Sequence, residues 1–441
     1  MNQEIDVSPF FMCPISLQLM KDPVTVSTGI TYDRENIEKW LFSSNNNNNK
    51  TCPVTKQQLS HDNQNNDLII LTPNHTLRRL IQAWCTINSS HGIQRIPTPK
   101  PPTTINLIQK IIKEASDSLD SPHLLIQSLK RLKSIASESE TNRRCIESAG
   151  AVEFLAEIIT KNTNSSASSS STEFEDTLYD DFEGFAFEFK VEAEDEAISI
   201  LHNLHLSEQG LKTLLNFKNG EFLDSLIKLL QKGIYDSRTY AVLLLKSISE
   251  VAEPAKLSNL KTEFFVELVQ LLKDQISKKA SKATLQTLIQ VVEHGRNRVR
   301  LVESGCVCVL IELLLDCKER KPCEMILVVL EMLCQCADGR AEILKHGCGL
   351  GIVSKKILRV SNMANDRAVR ILLSVSRFSA TPLVVQEMLE IGIVAKLCLI
   401  LQVDSGNKAK DKAREILKLH AKSWRHSHCI PTNLLASYPT Q

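Results

Sequence analysis

The chain has 441 residues, 43% apolar and 23% charged, a globular composition too long for one ordinary domain and unlike a disordered or collagen-like chain. Lys and Arg number 52 against 51 Asp and Glu, so no global charge draws it to nucleic acid or to an anionic membrane, and partners have to be argued locally. The N-terminus MNQEIDVSPFFMCP carries no basic region followed by an apolar run, and stretches such as MILVVLEMLC fall short of the roughly 20 residues that span a bilayer. The expectation is a soluble chain with no transmembrane segment, cytoplasmic with nuclear or membrane-peripheral placement as alternatives. Thirteen cysteines, an odd number without framework spacing, fit reduced thiols, most of them small buried hydrophobes.

In chain order, FMCPISLQLMKDP comes first and places Cys13 where a zinc cluster would have its first ligand, yet no second cysteine follows at ligand spacing. PVTVSTGITY, Pro23 to Tyr32, alternates β-branched residues around Ser-Thr-Gly and predicts a hairpin. Asp33 is placed to N-cap a helix over RENIEKWLF, with Ile37, Trp40 and Leu41 on one apolar face. After SSNNNNNKTCPVTKQQL a second helix is expected to open at LTPN, with Leu77, Leu80, Ile81 and Trp84 on its face. So small a unit buries little core, and zinc is the usual remedy. A structural zinc site takes four N or S ligands, usually with a CxxC or CxxH pair. Cys13, Cys52, His61, His75 and Cys85 provide no such pair, so no metal is expected. Polar pairs drawn from Lys21, Asp22, Ser27, Asp33, Arg34, Glu38 and Thr55 have to substitute, at ~1.5–3 kcal/mol for each hydrogen bond to a charged group.

HGIQRIPTPKPPTT, with Pro97, Pro99, Pro101 and Pro102, has no hydrophobic period and reads as an extended linker over 87–104. Beyond residue 105 the chain repeats: NRRCIESAGAVEFLAEII, NRVRLVESGCVCVLIELLLD, GRAEILKHGCGLGIVSKKIL and VVQEMLEIGIVAKLCLILQ each read as helix, glycine, helix. The marks Gly150, Gly220, Thr262, Gly305, Gly347 and Gly392 are separated by 70, 42, 43, 42 and 45 residues; setting aside a Ser-rich, then acidic insert over 162–190 brings the first interval to 41. A period of about 40–47 with two or three helices per unit is the armadillo/HEAT signature, an all-α solenoid over about 105–430 that presents an extended surface suited to peptides or proteins. No GxxxxGK[ST], HExxH or GxSxG stands in this region, so it is expected to bind rather than react. The insert reads as a solvated disordered loop or, alternatively, a segment tuned by phosphorylation. KAKDKAREILKLHAKSWRHSH reads as a polar cap on the solenoid, with an acidic or lipid partner as the alternative.

The segments CPIS, DPV, GITYDRENIEKW, CPVT and LTPNHTLRRLIQAWC, in that order within residues 6–86, resemble the U-box, the zinc-free α+β relative of the RING domain. With the linker and armadillo-like repeats, the whole chain resembles the plant U-box E3 ubiquitin-protein ligases. The resemblance implies a transferase that forms no covalent ubiquitin intermediate and needs no cofactor. It binds a ubiquitin-charged conjugating enzyme and orients the thioester for attack by a lysine of a protein substrate held on the repeats. Ile15, Trp40 and Pro53 would line the groove for the conjugating enzyme, with Lys56 touching both enzyme and ubiquitin. Cys13, Asp22, Asp33 and Arg34 would be structural. Pattern alone puts Trp40 in the core beside Ile37 and Leu41, and only the resemblance assigns it to a partner. Cys13 has no neighbouring base or cation and reads as a packed thiol rather than a nucleophile. Plant defence or stress signalling is the implied setting, and a scaffold with an inactive U-box is the competing reading.

Overall fold

The computed structural model describes residues 7–42, 51–59, 71–98, 103–118, 121–165, 180–258, 260–403 and 406–425, with scattered positions beyond, and no side chains over 162–188. The Asn45 to Asn49 run, His61, most of the QQLSHDNQNNDLIIL loop, Pro99, Pro101, Pro102 and the middle of the insert, 166–179, lie outside the described residues. The chain forms two compact units, residues 1–151 with 203–205, and residues 152–202 with 206–441.

In the first unit the expected hairpin is present. Strand β1 (Pro23–Thr25) pairs antiparallel with β2 (Thr31–Asp33), Val24 opposite Tyr32, and Gly29 makes the turn at φ 82°. Only a residue without a Cβ takes that angle without strain. Helix α1 (Arg34–Phe42) follows directly. A third strand, β3 (Thr72–Pro73), pairs with the other edge of β1; it lies in the LTPN segment read as a helix start, and helix α2 (His75–Ile87) opens one residue after it. Asn74 caps α2, its side chain accepting from Leu77 N at 3.0 Å.

Asp33 does not serve the helix as the sequence suggests. Its Oδ1 accepts the backbone amides of Lys21 and Asp22, both at 2.8 Å, so the carboxylate ties the loop before β1 to the end of β2. On α2, Leu80 is 54% exposed, because the small core takes Ile81 and Cys85 instead. That core comprises Cys13, Met20, Val24, Val26, Tyr32, Ile37, Cys52, Leu59, Ile81, Cys85 and Ile96. Ile96 belongs to the segment read as extended linker: it is buried, and its carbonyl accepts from Gln82 Nε2 at 3.3 Å. Apolar Ile93 and Ile96 within a proline-rich stretch explain why its first half folds back. Helices α3 (Ile105–Asp117), α4 (Pro122–Glu138) and α5 (Glu140–Ser148) complete the unit.

The second unit is helical and repeats. Bonds between residues about 40 apart recur along it: Asn297 Nδ2 to Leu257 O, Lys278 to Glu319, Lys356 Nζ to Cys317 O, Ser374 Oγ to Cys334 O and Lys396 Nζ to Ser354 O. Within this unit each repeat is therefore stitched to the next, as a nearest-neighbour solenoid requires. Gly220, Gly305 and Gly392 carry positive φ at the turn between helices, as does Gly150 in the first unit. Gly347 does not; there the constraint falls on Gly349, where a Cβ would sit 2.2 Å from Ile343 O. The insert is shorter than its sequence suggests, since one helix runs to Ser165 and the next starts at Asp180.

At the C-terminus the basic segment breaks at His420, and Trp424, fully buried, donates its indole N–H to Val385 O at 3.0 Å. Of the described cysteines, Cys308 and Cys348 are exposed and Cys317 and Cys336 half-buried; the rest are buried, as expected of most.

Asn297 shows what a repeat junction is worth. Fully buried, it donates through Nδ2 to Leu257 O at 2.6 Å and Val291 O at 2.9 Å. Asn297→Leu removes the bonds to the buried Val291 carbonyl and to that of half-buried Leu257, and is expected to lower stability by about 2 kcal/mol, read as an earlier helical melting transition by circular dichroism.

Candidate functional site

Two loops of the first unit share one construction. In CPISLQ, Cys13 N donates to Gln18 O at 2.8 Å and Leu17 N to Cys13 O at 2.8 Å. In CPVTKQ, Cys52 N donates to Gln57 O at 2.8 Å and Lys56 N to Cys52 O at 2.9 Å. Leu17 and Lys56 hold left-handed backbone at φ 55° and 60°. Each loop is closed by one antiparallel bridge, Met12 with Leu19 and Thr51 with Gln58. The result is a matched pair of rigid turns whose apolar tips, Leu17 and Val54, are 72% and 54% exposed.

Helix α1 joins both turns. Asn36 Nδ2 donates to Ser16 Oγ in the first loop at 3.2 Å, and Trp40 Nε1 donates to Thr51 O beside the second at 3.1 Å. Trp40 is half-buried: its ring packs on the core below, and the Lys56 ammonium lies 5.4 Å from the ring centre. Ile37, one turn earlier, is the residue that α1 buries completely. Ile15 and Pro53 are also half-buried, one in each loop.

The sulfurs are held from within. Cys13 Sγ accepts the amide of Asp33 at 3.4 Å and is fully buried. Cys52 Sγ lies 3.0 Å from the Tyr32 hydroxyl and 3.3 Å from Thr28 Oγ1. Burial pushes the Cys52 thiol up, but hydrogen bonds from Thr28, Thr55 and Tyr32 outweigh it and bring it down to about 6. Burial, followed by the Cys52 contact, pushes the Tyr32 phenol up. An amide thus holds the Cys13 sulfur and hydroxyls hold the Cys52 sulfur, each from within the chain.

Charge closes the frame: Arg34 Nε meets Asp22 Oδ2 at 2.6 Å, Arg78 reaches Asp22 Oδ1 at 3.7 Å, and the Arg34 amide donates to Asp22 O. Among the described residues, the one group of three metal-type donors within 4.8 Å of one another is Cys308, Glu312 and His346, which belongs to the other unit.

The structure therefore brings Trp40 and Lys56 together, places Ile15 and Pro53 on the two flanking turns, and assigns Cys13, Asp22, Asp33 and Arg34 to the frame. Sequence reasoning missed Ser16, Asn36 and Thr51, which fasten the turns to the helix. The signal was available in the near-repetition of CPISLQ as CPVTKQ.

A model of the U-box domain matches residues 7–90, and one of the plant U-box protein ARM repeat region matches residues 107–440. The E3 ubiquitin-protein ligase PUB22 of Arabidopsis thaliana is 53% identical over 448 residues, covering 100% of both chains. PUB23 of the same plant is 51% identical, over 100% of this chain and 98% of its own, and PUB24 is 35% identical, over 98% and 96%. No helix among the described residues is long and apolar enough to cross a membrane. Paired turns bridged by one helix, stitched helical repeats and matches along the whole length agree: the chain belongs to the plant U-box E3 ubiquitin-protein ligases with armadillo repeats.

Proposed function

We propose that the surface formed by Ile15, Trp40, Pro53 and Lys56 receives the ubiquitin-charged conjugating enzyme, and that the repeats hold the protein whose lysine accepts ubiquitin. The observation that carries this reading is the bridging of both turns by α1, through Asn36 and Trp40. A partner's loops meet a pre-set, partly apolar surface and spend little entropy in ordering it. The chemistry belongs to the partner. A lysine amine attacks the ubiquitin thioester carbonyl, the isopeptide forms, and the conjugating enzyme's thiol leaves. This chain contributes proximity and orientation, terms that reach ~7–11 kcal/mol for well-aligned reactants. Its U-box thiols Cys13, Cys52 and Cys85 are fully buried and take no part as acceptors. The cytoplasm, in plant defence or stress signalling, is the setting we assign.

Discharge of a panel of charged conjugating enzymes by the purified chain tests the reading. Faster ubiquitin transfer with at least one of them supports the ligase; no acceleration with any supports a scaffold.

Lys56 has a separate expected signature. Its ammonium rests against Trp40 and its side chain is exposed. Lys56→Ala is expected to slow thioester discharge about fivefold while the affinity for the uncharged conjugating enzyme falls less than twofold, since a cation at a transient surface acts mainly on the charged complex. Parallel kinetic and binding titrations separate the two effects.

A further inference from the structure

Helix α1 has a second face. Glu38 and Trp40 are two residues apart, hence about 200° around the helix axis, and Glu38 is only 3% exposed. A carboxylate that deeply placed is costly unless it is paired. Its partner comes from 103 residues away: Thr141 Oγ1, in the first turn of α5, donates to Glu38 Oε1 at 2.7 Å, while Arg34 lies 3.8 Å off on the same helix. A turn further along α1, the Arg144 guanidinium sits 5.8 Å from the Phe42 ring centre. Arg144 is itself braced by Glu140 and Glu147, each at 3.0 Å. Residues 141 and 144 share a face of α5, as 38 and 42 share a face of α1. Two contacts a turn apart fix rotation as well as distance, which one contact would not.

We propose that Thr141, with Arg144, is a positioning residue of the ligase: it holds the U-box in one orientation on the helices α3–α5 and thereby selects which lysines of those helices a bound thioester reaches. Resting on the ligase reading, this adds that the first armadillo-region helices are part of the ubiquitin-transfer module rather than cargo tethered beyond a linker. Lys110, Lys113 and Lys130 are exposed on α3 and α4 and serve as the reporters.

The test uses the full chain at high dilution, so that transfer is intramolecular, with lysine-free ubiquitin, a charged conjugating enzyme and mapping of each modified lysine. Discharge onto free lysine is measured alongside. In Thr141→Val/Arg144→Ala the relative occupancy of Lys110, Lys113 and Lys130 is expected to shift by threefold or more, while free-lysine discharge stays within twofold of wild type. Thr141→Ser, which keeps the hydroxyl, is expected to retain the wild-type pattern. An unchanged pattern in the double variant overturns the proposal. A matching loss of free-lysine discharge overturns it too, because the contact would then act on U-box folding. Failure of the wild-type chain to discharge any conjugating enzyme would instead sink the ligase reading beneath it.

Discussion

Trp40→Ala is expected to reduce ubiquitin discharge by about 30-fold or more, the consequence of losing a central aromatic anchor worth ~2 kcal/mol or above. The argument has two parts. The half-buried ring is the largest apolar side chain on the face of α1 between the turns, and it has already been ordered by the core beneath it. Its indole N–H also holds Thr51 O, so truncation both removes contact area and releases the second turn. Trp40→Phe keeps a ring and loses only the donor, and is expected to fall between the two. Because Ile37 supplies the fully buried contact, the U-box of Trp40→Ala is expected to stay folded, which circular dichroism and a melting curve check. Wild-type turnover in Trp40→Ala, with the fold intact, would remove this residue from the binding surface.

Asp33→Ala is expected to act on the fold, at about 3 kcal/mol. The carboxylate is 7% exposed and accepts two backbone amides that have no strand partner in β1 or β2. Hydrogen bonds to a charged group are worth ~1.5–3 kcal/mol each, and here the donors are the amides of exposed Lys21 and half-buried Asp22. Against the ~5–15 kcal/mol total of a typical domain, and the lower end for one so small, that is a large fraction. Asp33→Asn retains one acceptor oxygen and is expected to lose about half as much. Urea titration followed by the fluorescence of Trp40 and Trp84, both in this unit, reads the shift; an unmoved midpoint would mean that solvent satisfies the amides.

Periodicity made much of this legible. The hairpin, α1, the interval of about 42 residues and the solenoid all follow from local pattern, because β-branched alternation and glycine-punctuated helices leave marks in any single sequence. Residues whose role is set by distant partners were harder to read. Asp33 stands where a helix cap belongs, but two loop amides compete for its carboxylate and win. Leu80 fits the apolar stripe of α2, yet the core is too small to cover it. Glu38 reads from the sequence as one of the bracing polar residues, but nothing within 100 residues of it announces its partner Thr141. Trp40 was ambiguous by pattern, and the structure shows why: it is both core and surface.

The sulfur environment of the U-box has a consequence for where such a protein can work. A zinc-braced domain of this shape fails when free metal runs short or when peroxide oxidises its ligand thiolates. Here Cys13 and Cys52 are shut away from solvent and gripped by an amide and hydroxyls. Both sulfurs are tied to groups of the chain itself, so an oxidant has to open the fold before it reaches either of them.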